Sequence, residues 1–143
     1  MIIQKTETCN QTESPRFISD AESYYKTALG GVKRKAVFTN EILYNIISMS
    51  IEKYMMGFLT SKNELPPCHT LGNMIKEVKR HVPVAESLVK KMDYFDKLQF
   101  ICSFAFIKQE PISDNDIADM IVVLIEVRAL VQGHLLHKEK ITA

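Results

Sequence analysis

Tryptophan is absent from this chain, and cysteine, glycine and proline are scarce: three, five and five among 143 residues. Cys9, Cys68 and Cys102 are an odd, widely spaced set without a CxxC pair. That fits a reducing cytosol better than a disulfide framework or a zinc site. A large charge of either sign is also missing. With a formal net charge of +1, the chain lacks the strongly basic surface of a general nucleic-acid binder. No apolar run reaches membrane-spanning length, and the opening "MIIQKTETCNQTESPRF" lacks the apolar centre of a signal peptide. The expectation is a cytoplasmic protein of bacterial style, with no membrane contact. No GxxxxGK[ST], GxGxxG, HExxH or GxSxG string occurs, so the enzyme classes those motifs mark find no support. No cofactor or metal is expected.

What is present is helical periodicity. Residues 1–18 are polar and broken by Pro15, and they read as a flexible lead-in. Ser19 and Glu22 have the spacing of a capping box. After them Ala21, Tyr24, Tyr25, Ala28, Leu29 and Val32 recur at helical intervals, weakened by Gly30-Gly31, a pair suited to a bend or a close approach. Thr39 or Asn40 can cap a second helix. In it Ile42, Leu43, Ile46, Ile47, Ser50, Tyr54 and Phe58 make a broad apolar stripe, which places that helix at the centre of the fold. Pro66-Pro67 enforce an extended connection. Thr70 caps a third helix that turns Leu71, Met74, Ile75 and Val78 inward and stops near Pro83. A fourth helix over "AESLVKKMDYFDKLQFICSFAF" presents Leu88, Met92, Phe95, Leu98 and Cys102 to the core, and "IKQEPIS" follows as a loop. Ser113 and Asp116 form a second capping box and open the last helix. No strand signal survives. The fold class is all-α: an antiparallel bundle of about five helices, with a single domain over 19–137 and a tail at 138–143.

Four groups of residues could carry chemistry. His69, between Pro67-Cys68 and Thr70, either seats the next helix by bonding the central one or acts as a ligand contact or general base. Arg128 and His134 in "RALVQGH" could hold a phosphate and move protons for 2′-hydroxyl attack on RNA. Six residues of helix, however, turn their side chains roughly 120° apart and offset them by about 9 Å, which favours a solvated arginine. His134 and His137 share a helix face, but two ligands do not complete a metal site. The clusters "GVKRK" and "EVKRH" read first as solvated faces, and the methionines of "MSIEKYMMGF" as core or as an adaptable partner surface.

The order of these pieces resembles that of HEPN domains (higher eukaryotes and prokaryotes nucleotide-binding). The matching segments are "AESYYKTA" at 21–28, "ILYNIISMSIEKYMMGFL" at 42–59, "HTLGNMIKEV" at 69–78 and a final amphipathic helix from Asp114, so the resemblance spans residues 19–137. It implies a helical bundle that binds a nucleotide-like ligand or RNA, pairs with a nucleotidyltransferase-type protein, and forms a homodimer. His69 matches the histidine that recurs at the start of the family's third helix. Some members are metal-independent, toxin-like endoribonucleases with an Arg-x(4–6)-His motif ahead of the last helix. Here that stretch reads "CSFAFIKQEPIS" and contains neither residue, while "RALVQGH" falls late in the final helix. The expectation is therefore a non-catalytic binding module with Tyr24, Tyr25, Lys53 and His69 on its ligand rim. An endoribonuclease using Arg128 and His134 is the rival, and a self-associating structural domain without ligand is the third reading.

Overall fold

A computed structural model describes residues 2–103 and 111–142, with side chains over 13–98 and 111–135. Its elements are α1 (Ile2–Val32), α2 (Asn40–Ser61), α3 (Leu71–Lys79), α4 (Glu86–Ser103) and α5 (Asp114–Thr142). The described residues contain no strand, and none of their helices is long and apolar enough to cross a membrane. The all-α bundle expected from periodicity is what forms.

Small residues set the closest contact. Ser14, Ala21 and Ala28 follow one another at seven-residue intervals along α1 and are all buried. Opposite them on α2 lie Gly57, Ser50 and Leu43, again seven apart. The Ser14 hydroxyl donates to the Gly57 carbonyl at 2.6 Å, and the Ser50 hydroxyl donates to the Ala21 carbonyl at 2.9 Å. At the far end, Gly31 faces Phe38 and Leu43. This register makes α1 and α2 antiparallel. It also explains a correction: the helix does not start at Ser19 but reaches back to Ile2 with Pro15 inside it. Ser14 is tied to α2, and Phe17 and Ile18 pack on the core, so the turns beside the proline are anchored despite the lost amide.

The second half of α2 is buried on every side. Tyr54, Met55, Met56, Gly57, Phe58, Leu59 and Thr60 are consecutive and all buried, the pattern of a helix enclosed by its neighbours. Ile42, placed in the apolar stripe by its spacing, is instead 43% exposed, because the start of α2 has partners on fewer sides. The helix is closed by Thr39, whose hydroxyl accepts from the Ile42 amide at 3.3 Å. At its other end Asn63 takes φ 59°, while the Glu64 amide reaches the Leu59 carbonyl and the Asn63 amide that of Thr60. That is a Schellman closure with asparagine in the left-handed position.

Direction departs from a simple up-and-down bundle. Asn40 bonds the Ile112 carbonyl and Asp114 at one end, and Phe58 meets His134 edge-on at the other, so α2 and α5 run parallel. The connection through Pro66-Pro67 carries the chain back along α2, and α3 starts beside Glu52 rather than beyond Ser61. The pairs Lys76–Asp93 and Lys79–Glu86 set α4 antiparallel to α3. Both Thr70 and the reciprocal Ser113–Asp116 box cap as their sequence signatures imply. Of the predicted fourth helix and following loop, residues 104–110 lie outside the described residues, and so does the Cys102 side chain.

The glycines separate by environment. A Cβ on Gly57 would meet Ile18 Cδ1 at 2.4 Å and the Ser14 carbonyl at 3.3 Å, whereas one on Gly30 meets nothing within 4 Å. Gly57→Ala should lower thermal stability by about 1 kcal/mol, because overpacking of about 1–3 kcal/mol outweighs the gain in helix propensity. Gly30→Ala should raise it by up to about 1 kcal/mol. Paired thermal melts check both, and a Gly57→Ala protein that melts higher would refute the seam's tightness.

Candidate functional site

A cavity of about 190 Å³ opens where α2 passes the start of α3 and the middle of α4. Tyr44 and Leu71 are its buried walls, and Met49, 39% exposed, forms an apolar lip. The Tyr44 hydroxyl donates to the Phe95 carbonyl at 2.6 Å, which fixes the ring. Asn45, Ser48 and Glu52 supply polar atoms from α2. The Ser48 hydroxyl is buried without a hydrogen-bond partner. From the loop, His69 Nδ1 lies 3.2 Å from Glu52 Oε1. With side chains 56% and 31% exposed, that pair orients the two groups rather than holding the fold.

Asp96, from α4, completes the lining and also closes α3. Its two oxygens accept from the Leu71 and Gly72 amides at 3.0 and 2.8 Å, while the Thr70 hydroxyl accepts from Asn73 at 3.3 Å. The first amides of α3 are thereby satisfied, and a carboxylate already sits on the positive helix end. Gly72 belongs to this arrangement, since a Cβ there would lie 2.0 Å from Asp93 Oδ1. Among the described residues no lysine or arginine lines the cavity. Just outside it, Cys68 is exposed and free, and hydrogen bonds, first from the Thr70 backbone and then from Asn73, hold its thiol below the ordinary range.

A second polar cluster joins α1, α2 and α5. Arg128 Nε and Nη2 donate to the two Glu22 oxygens at 3.1 and 3.3 Å, and Gln132 donates to the same carboxylate. The guanidinium stacks on Tyr25, 4.5 Å from the ring centroid. Arg128 is thus not the solvated arginine expected from its helix position. Glu22, assigned to a capping box with Ser19, is instead its partner, because the helix runs through Ser19 and leaves nothing there to cap. Tyr54 Oη is buried beside this pair and makes no hydrogen bond of normal geometry. Burial first, then the Glu22 carboxylate, pushes its phenol well above the usual tyrosine range, with Arg128 opposing.

The remaining candidates are dispersed. Lys53 sits over the Phe17 ring at 5.3 Å, Tyr24 is half-buried on α1, and neither they nor Tyr25 line the cavity. Of the four expected rim residues, only His69 reaches it. His134 packs edge-on to Phe58 at 6.3 Å and shares that ring with His81, which bonds Glu64 at 3.0 Å. The side chain of His137 lies outside the described ones, and no group of three His, Cys, Asp or Glu among the described residues is placed to hold a metal ion. Each basic cluster has members paired with carboxylates: Lys35 meets Asp114 in the first, and Lys79 meets Glu86, Arg80 Glu77 and His81 Glu64 in the second. Met55 and Met56 are core, and Met49 alone of the three reaches solvent. Sequence reasoning missed Tyr44, Ser48 and Glu52, although their four-residue spacing marks one polar line along an apolar helix. Comparison with family models, curated proteins and solved structures returned no match.

The Tyr54 environment gives a pH test. A phenol raised in the folded state keeps its full contribution below about pH 10, the ordinary tyrosine value, and loses it as pH climbs toward the folded value. Between those limits the wild type should lose stability relative to Tyr54→Phe by about 1.4 kcal/mol per pH unit. Denaturant melts of both proteins from pH 8 to 11.5 measure it, and parallel curves would contradict the placement of Tyr54 beside Glu22.

Proposed function

We propose that this chain is a non-catalytic helical binding module whose ligand seat is the cavity between α2, α3 and α4. The observation carrying this reading is that Asn45, Ser48, Glu52, His69 and Asp96 line one cavity, whereas Arg128 is paired with Glu22. A guanidinium bonded twice to Glu22 and stacked on Tyr25 has two of its five N–H donors and one face committed within the fold. His134 packs on Phe58 and stands six residues from Arg128 on the same helix. The endoribonuclease reading needs both side chains free at one phosphate, and this arrangement speaks against it. The HEPN resemblance supplies the ligand class, a nucleotide-like molecule, and a nucleotidyltransferase-type protein as partner. His69 then acts as a pocket-edge residue that orients Glu52.

A homodimer is a second reading, favoured by one surface feature. Ala118, Val122, Ile125 and Ala129 form an exposed apolar stripe along α5, with Val122 50% and Ile125 46% exposed. Light scattering across a hundredfold concentration range decides it, and a constant monomer mass removes it.

The primary reading predicts that mixed cellular RNA stays intact with the pure protein and a chelator, for wild type, Arg128→Ala and His134→Ala alike. Cleavage lost in both variants would replace the binding module by a ribonuclease. His69→Ala should weaken binding of nucleosides at the cavity more than it lowers the melting temperature.

A further inference from the structure

We infer that the cavity selects a flat group carrying paired N–H donors, of the amidine or guanidine type, and excludes phosphate. This rests on the cavity being the ligand seat, and it names what enters. Size is the first constraint. At about 190 Å³ the space lies below the roughly 300–1,000 Å³ typical of sites that enclose a whole drug-sized ligand, so it admits a fragment. Charge is the second. Glu52 and Asp96 both line the space, and no lysine or arginine among the described residues does. The positive end of α3, which could welcome an anion, already carries the Asp96 carboxylate on the Leu71 and Gly72 amides, and His69 is turned to Glu52. A phosphate entering here would meet two carboxylates and, among the described residues, no lysine or arginine to balance them.

Donors and acceptors give the rest. The lining offers carboxylate oxygens and the Asn45 side chain, and the unpartnered Ser48 hydroxyl beside them is a buried group in want of a partner. Such a set is complementary to a ligand edge rich in N–H. A carboxylate binds two parallel N–H groups bidentately, the strongest geometry open to it, and the His69 contact holds Glu52 in position. Tyr44, Leu71 and Met49 supply the apolar walls that a planar group needs. Two sources share this chemistry: the guanine edge of a nucleoside, whose sugar and phosphate would remain outside, and the alkylguanidinium of a small amine.

Titration followed by amide NMR resonances of the full chain separates the cases, with guanosine, methylguanidinium, guanosine 5′-monophosphate, cytidine, uridine and inorganic phosphate as probes. The inference expects guanosine or methylguanidinium to shift residues 44–52 and 71–72, and phosphate to leave them unmoved. The responding probe identifies the source. Glu52→Gln should weaken that binding by about tenfold or more while the melting transition stays in place. Shifts by phosphate, tighter binding of the monophosphate than of guanosine, or unchanged affinity in Glu52→Gln would overturn the inference. Binding of cytidine or uridine alone would overturn it and leave the binding-module reading standing. If no probe moves the cavity residues, both are removed.

Discussion

The seam between α1 and α2 is the contact from which the other placements follow. Ser14, Ala21 and Ala28 let α1 approach α2 closely, and the Ser14 and Ser50 hydroxyls spend their hydrogen bonds on carbonyls across the gap. Phe58 of α2 meets His134 of α5 and His81 after α3. Tyr54, Phe58 and Met55 then define a surface against which α5 and α3 must pack. Among the described residues the α1–α2 contact is the most extensive, with α2–α5 next. Around so enclosed a helix, polar chemistry survives only at the edges of α2, and there the two clusters are found.

Those clusters have opposite characters. On the α1–α5 side, charges are consumed: Glu22, Arg128 and Gln132 satisfy one another, and Tyr25 covers the guanidinium. Such a group resists use as a catalyst, since recruiting Arg128 for a substrate phosphate would leave the half-buried Glu22 carboxylate without its charged partner, on Gln132 alone. On the α3–α4 side, Glu52 and Asp96 line the cavity, and Asp96 also caps α3. On the proposed function, one edge of α2 serves stability and the other recognition.

Much of the fold is legible in the residues, and what is hidden has a common cause. Thr39, Thr70 and the Ser113–Asp116 box announce their helices because capping is local. The inward faces of α3 and α4 follow from spacing. Glu22 misleads because its distance from Ser19 also satisfies a capping rule, and only a partner 106 residues away decides between the two. Asp96 carries no local signal, since the amides it caps lie 25 and 24 positions back. The parallel course of α2 and α5 depends on how far the Pro66-Pro67 connection descends, a distance that turn chemistry does not encode. Continuity through Pro15 was readable in principle: the seven-residue interval of Ser14, Ala21 and Ala28 crosses the proposed boundary at Ser19.

The claim on which the functional account turns is that Arg128 belongs to the fold. A double-mutant cycle measures it directly, with Glu22→Gln, Arg128→Met and the pair compared by denaturant unfolding at neutral pH. The account predicts a coupling energy of about 0.5–3 kcal/mol, the range for contacting residues in one network. A coupling near zero would place Arg128 in solvent, free to meet a phosphate, and would contradict it.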